Sequence, residues 1–111
     1  MSDLHEAHCE ACEGQEAALD AQQVRTLMAP LDARWTHNAD ERRLEASFKF
    51  KNYYQTMAFL NAVAFIANRE DHHPDIQFGY NTVHMHWQTH SVDGISRNDL
   101  ICAAKVDRLL L

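Results

Sequence analysis

Strict alternation is the clearest pattern along the chain. Leu44, Ala46, Phe48 and Phe50 alternate with Glu45, Ser47, Lys49 and Lys51, which predicts a strand with one buried face and one wet face. Val83, Met85, Trp87 and Thr89 alternate with His84, His86, Gln88 and His90. That is a second strand, with a wet face rich in histidine. Shorter strands are expected at Trp35 to His37, where the residue types favour extended chain, and at Ile76, Phe78 and Tyr80. Asn38 to Glu41 and Tyr80–Asn81 read as the turns that follow them.

Helical spacing fills the rest. Asp20 can cap a helix that begins at Ala21 and carries Val24, Leu27, Met28 and Leu31 on one side. Pro30 should end it. Asn52 can cap a long helix that reaches about Glu70. Its main stripe is Tyr53, Met57, Leu60, Val63, Ala64 and Ala67, and Phe59, Phe65 and Ile66 add apolar surface on other sides. A stripe this wide exceeds what one sheet can cover, so a second copy of the chain is expected to cover the rest. Ser96-Arg97-Asn98-Asp99 resembles a capping box and opens a last helix with Leu100, Ala103, Ala104 and Val106 inside. The order is helix, two strands, helix, two strands, helix. Hairpin connections then imply a two-layer α+β domain, a four-stranded antiparallel sheet with helices on one face. Residues 20–111 form that single domain, and residues 1–19, acidic and without a period, read as a flexible N-terminal tail.

Composition narrows the functional classes. Ten Lys and Arg against sixteen Asp and Glu leave the 111-residue chain at −6, which argues against a nucleic-acid backbone binder. The longest apolar run, Ala62 to Ala67, is too short to span a membrane. Met1 to Glu10 lacks the features of a secretion signal, and three cysteines do not make a disulfide scaffold. A cytoplasmic protein is expected. The unusual residue is histidine, with eight copies, five of them from His72 to His90.

The candidate chemistry lies there. In His72-His73-Pro74-Asp75 the proline pushes His73 out of helical geometry. A hairpin can then return His90 towards His72 and His73, with Asp99 close by. Imidazoles titrate near neutrality, with an ordinary pKa of about 6.5, so a pair can serve as base and acid in one elimination. No Gly-x-Ser-x-Gly elbow occurs, and three glycines in all leave no phosphate-binding loop. His84 and His86 are read as wet-face residues rather than as a chelating pair. A rival site is His5-x-x-His8-Cys9-x-x-Cys12, four ligands that zinc accepts.

Asp71-His72-His73-Pro74-Asp75, Tyr80-Asn81, Val83-His84, Thr89-His90, Gly94 and Asp99, at this spacing, resemble the pterin-4a-carbinolamine dehydratase family. Phe48-Lys49-Phe50-Lys51 and the long helix with Phe59, Asn61 and Val63 extend the similarity to roughly residues 20–107. The resemblance implies dehydration of 4a-hydroxytetrahydrobiopterin to quinonoid dihydrobiopterin, which recycles the cofactor of aromatic amino-acid hydroxylases. It implies His72, His73 and His90 as the catalytic trio, with His72 and His90 as acid/base pair and His73 positioning the pterin. Asp99, Tyr80, Pro74 and Asn68 would bind substrate or support the site. Asn68 stands where the family commonly has an acidic or similar polar residue, so any helper there is uncharged. The resemblance further implies no metal or organic cofactor, and a homodimer or homotetramer. Animal relatives double as dimerisation partners of a transcription factor, which makes an interaction module the third alternative.

Overall fold

The computed structural model describes residues 4–10 and 18–110. Each helix begins at the cap expected for it. Helix α1 spans Ala21–Met28 behind Asp20, whose side chain accepts from Gln23 N–H while the Gln23 side chain accepts from Asp20 N–H. Helix α2 spans Tyr53–Glu70 behind Asn52, which accepts from Gln55 N–H. Helix α3 spans Arg97–Arg108 behind Ser96, with Asp99 closing the capping box. These side chains satisfy amides that have no partner within the first turn.

The strands are β1 (Thr36–Asn38), β2 (Arg43–Lys49), β3 (Asp75–Phe78) and β4 (Thr82–Trp87). They form one antiparallel sheet in the order β1-β2-β4-β3. The two alternating sequences therefore pair in the centre, with Leu44 opposite Trp87 and Phe48 opposite Val83. Leu44, Ala46, Phe48, Val83, Met85 and Trp87 all point into the core. Glu45, Ser47, His84 and His86 lie on the other face, as period two requires. The helices cover the apolar face. Phe59 and Val63 of α2 are buried there, and the Phe48 and Phe59 rings meet at a centroid distance of 4.8 Å. Leu100, Ile101 and Val106 of α3 complete the core. No helix among the described residues is long and apolar enough to cross a membrane.

Three local expectations change. Strand β4 ends at Trp87 rather than reaching Thr89 and His90. Its partner runs out, because β2 itself begins at Arg43 and the residue before it, Arg42, turns away in the left-handed conformation (φ 57°). Thr89 keeps only a bridge to Gly94, and His90–Val92 form a 3-10 turn. Gly94 is required there, since a β-carbon would come within 2.8 Å of the Ala18 β-carbon. Strand β3 stops at Phe78, which leaves Tyr80 in the following turn.

The third change concerns the N-terminus. Residues 4–10 pack along α3 instead of forming a free tail. Leu4 is buried, Lys105 Nζ donates to the His5 carbonyl, and Cys9 N–H donates to Glu70 at 2.7 Å. Asn98 clamps both backbone groups of Glu10. The polar side chains of α2 and α3 thus satisfy a segment that has no period of its own. Residues 11–17, including Cys12, lie outside the described residues.

Candidate active site

Helix α2 ends because Asp71 adopts the left-handed conformation (φ 52°) and His72 N–H turns back to the Ala67 carbonyl. This C-terminal stop is usually given to glycine. It reverses the chain immediately before His72 and sends that side chain towards the sheet. The imidazole stacks on Trp87, with ring centroids 5.6 Å apart and planes 25° apart. Its Nε2 lies 2.6 Å from Asp99 Oδ1.

Asp99 has no exposed surface. Its other oxygen accepts from Thr89 Oγ1 at 2.8 Å and from Ser96 N–H at 2.9 Å. Thr89 Oγ1 is in turn 2.7 Å from Ser96 Oγ. The carboxylate therefore has donors on both oxygens, as a buried charge requires. One residue closes the capping box of α3 and orients His72. With Nε2–H donated to Asp99, the nitrogen left to act on a ligand is Nδ1.

A cleft of about 420 Å³ opens above this pair and is lined by His72, His73, His90 and Thr89, together with Cys9, Glu70 and Asn98. His73 is exposed, with Nδ1 3.3 Å from the Pro74 carbonyl. His90 reaches the cleft from the 3-10 turn that replaces the end of β4. The structure therefore brings His72, His73 and His90 to one cavity, with Asp99 behind them and Pro74 beside His73. It does not bring Tyr80 or Asn68 there. Tyr80 is 63% exposed at the β3–β4 turn, where its carbonyl accepts from Thr56 Oγ1. Asn68 points to solvent from the last turn of α2. His84 and His86 lie on the opposite sheet face, bonded to Ser47 and Asp75.

The three described residues of the rival ligand set have other partners. His5 faces Glu6, His8 Nδ1 bonds Glu70 at 2.9 Å, and Cys9 faces Cys102. Among the described residues no group of three or more His, Cys, Asp or Glu could hold an ion.

Glu70 is a cleft residue that sequence reasoning did not single out. Burial pushes its carboxyl up, but Cys9 N–H, His8 and Lys105 outweigh burial and hold it below the usual range. The sequence signal available was a carboxylate two residues before His72. Nothing local indicated that residues 8 and 9 would meet it.

An αββαββα domain with helices on one face of its sheet, and with imidazoles and a carboxylate gathered in one cleft, is equipped for proton transfer. The chain belongs to the pterin 4 alpha carbinolamine dehydratase family, whose pattern matches residues 17–109. A Legionella pneumophila (strain Lens) protein with the provisional name pterin-4-alpha-carbinolamine dehydratase is 51% identical over 99% of this chain and 97% of its own length. A provisionally named dehydratase from Nitrosomonas eutropha is 46% identical over 100% of this chain and 96% of its own. Among solved structures, a transcriptional coactivator/pterin dehydratase from Brucella melitensis aligns with a TM-score of 0.78 and 28% identity, covering 83% of this chain and 97% of that one. A pterin dehydratase-like protein identified as a RuBisCO assembly factor aligns at TM-score 0.59 and 30% identity, over 68% and 87%.

Proposed function

We propose that the chain dehydrates 4a-hydroxytetrahydrobiopterin to quinonoid dihydrobiopterin. The observation that carries this reading is the His72–Asp99 contact of 2.6 Å at the floor of a cleft rimmed by His73 and His90. In the reaction the C4a–O bond breaks and a C4a=N5 double bond forms. A base takes the N5 proton, an acid protonates the departing hydroxyl, and water leaves. His72, through Nδ1, and His90 are the acid/base pair. His73 holds the pterin, and Asp99 keeps His72 in one tautomer and stabilises its charged form. The electron push comes from the pterin nitrogen, so turnover survives chelators. The substrate is the product of aromatic amino-acid hydroxylases, and the chain works in the cytoplasm.

Self-association belongs to the same reading. Tyr54 and Phe65 are 82% and 63% exposed on the outer side of α2. They lie on one stripe with Ala58 and Asn61, at helical spacing. A second copy covering this stripe gives a dimer, and two such pairs a homotetramer. Stopped-flow decay of the 4a-hydroxypterin, with and without protein, tests the activity against the slow uncatalysed reaction. His72→Ala and His90→Ala should each lower turnover by roughly 10–10⁴-fold, and His84→Ala should not. Near-normal turnover in the His72→Ala, His90→Ala double variant would refute the assignment.

A further inference from the structure

Cys9 and Cys102 are 93 positions apart in the chain, yet their sulfurs lie 3.6 Å from each other. Both are free thiols. We propose that they form a reversible dithiol–disulfide site in the wall of the cleft, closed by a low-molecular-weight disulfide of the glutathione type.

The fold holds both partners in place. Cys102 lies four residues after Asn98 and three before Lys105, so the three side chains share one stripe of α3. Asn98 and Lys105 both hydrogen-bond the segment that carries Cys9. Glu70 fixes the Cys9 amide itself at 2.7 Å. Cys9 is therefore pinned on both sides, with its sulfur against α3. A disulfide needs the sulfurs at about 2.05 Å, so they must approach by about 1.5 Å. Side-chain rotation with a small shift of residues 8–10 supplies that.

The two thiols have different roles. Cys9 lines the open cleft and is only partly buried, so it meets the oxidant. Cys102 is fully buried. The adjacent Cys9 sulfur and burial together push its thiol well above the usual cysteine range, which makes it the slower, resolving partner. The Cys9 thiolate attacks one sulfur of RS–SR and expels one RS⁻. Cys102 then loses its proton and attacks the Cys9 sulfur, expelling the second RS⁻. The protein gives up two protons and two electrons, and the oxidant leaves as two RSH. The bond closes a loop spanning most of the chain, which strongly restricts the unfolded state. It also locks the Cys9–Glu10 wall onto α3. Its effect on turnover rests on the cleft being the dehydratase site, whereas formation of the bond does not.

The test uses the full-length reduced protein and glutathione disulfide at mildly alkaline pH. Acid quench, alkylation and digestion are followed by mass spectrometry. A Glu-specific protease cuts after Glu10 and so separates Cys9 from Cys12. The expected product is a Cys9–Cys102 linked peptide, with Cys12 alkylated and the intact mass lower by two hydrogens. Dithiothreitol should reverse it. The disulfide should raise Tm by about 5–15 °C. Cys12→Ser should form the same link, and Cys102→Ala should stop at a glutathione adduct. A Cys9–Cys12 link in the wild type would overturn the proposal. So would recovery of Cys102 as a free thiol beside a lasting glutathione adduct on Cys9, or of both thiols unchanged.

Discussion

Asp99→Asn isolates the contribution of the buried carboxylate. The substitution preserves shape. The carbonyl of the new amide can occupy the position of Oδ2 and still accept from Thr89 Oγ1 and Ser96 N–H, which lie 2.8 and 2.9 Å away in the wild type. The amide NH₂ then faces His72 Nε2, where a carboxylate oxygen had accepted at 2.6 Å. Nε2 must become the acceptor, and the ring proton moves to Nδ1. The nitrogen that faced the cleft as a base now presents a hydrogen. A charge-assisted hydrogen bond contributes roughly 1.5–3 kcal/mol, so losing it as the imidazolium forms lowers the rate by about 10–150-fold. The wrong tautomer extends the loss to as much as about 10⁴-fold. Stability should change little, because the α3 cap survives. Asp99→Ala serves as the contrast. It strands three donors in a buried site, costs on the order of 3 kcal/mol or more, and lowers Tm directly. The assay is stopped-flow turnover beside thermal unfolding followed by circular dichroism. Wild-type turnover in a folded Asp99→Asn protein would refute the role given to the His72–Asp99 contact.

Three further outcomes follow from other parts of the molecule. Glu70 is held below its ordinary value of 4.5 in the folded state, so it contributes stability above that pH and loses it as pH falls through the depressed value. Glu70→Gln should therefore lower Tm near neutrality, with the gap to wild type closing in acid; a gap independent of pH in thermal scans would contradict this. Ser96→Ala removes the acceptor for Asn98 N–H and one hydroxyl of the Thr89–Asp99 chain. It should cost about 1 kcal/mol, read in urea unfolding, and an unchanged midpoint would count against the cap. Light scattering at micromolar concentration should give a multiple of 12.8 kDa, and replacing Tyr54 and Phe65 by Ser should lower it. A wild-type mass of one chain would rule out self-association.

Much of the fold was legible because its determinants act over a few residues. Period two places Leu44, Ala46 and Phe48 on the same side of β2, whatever covers them. Asp20, Asn52 and Ser96 start their helices by bonding amides two or three positions ahead. Pro74 pushes His73 out of helical geometry and so ends α2 close by, although the left-handed stop at Asp71 has no such local signal. The tertiary structure decided whatever depended on groups distant in sequence. Strand β4 stops at Trp87 because β2 begins at Arg43, just after the turn at Arg42, and that puts His90 on a 3-10 turn at the cleft rather than on the wet sheet face beside His84 and His86. Asp99 bonds His72, 27 positions away, because α3 packs under the end of α2. Residues 4–10 leave the expected tail because Glu70, Asn98 and Lys105 stand where their backbone needs partners. Tyr80 stays out of the cleft because it sits in the turn at the far end of the β3–β4 hairpin from His72, and Asn68 because it lies on the exposed side of α2. Periodicity and capping are written within a turn or a strand. Contacts across 27 to 93 positions carry no local pattern, and only the packed chain determines them.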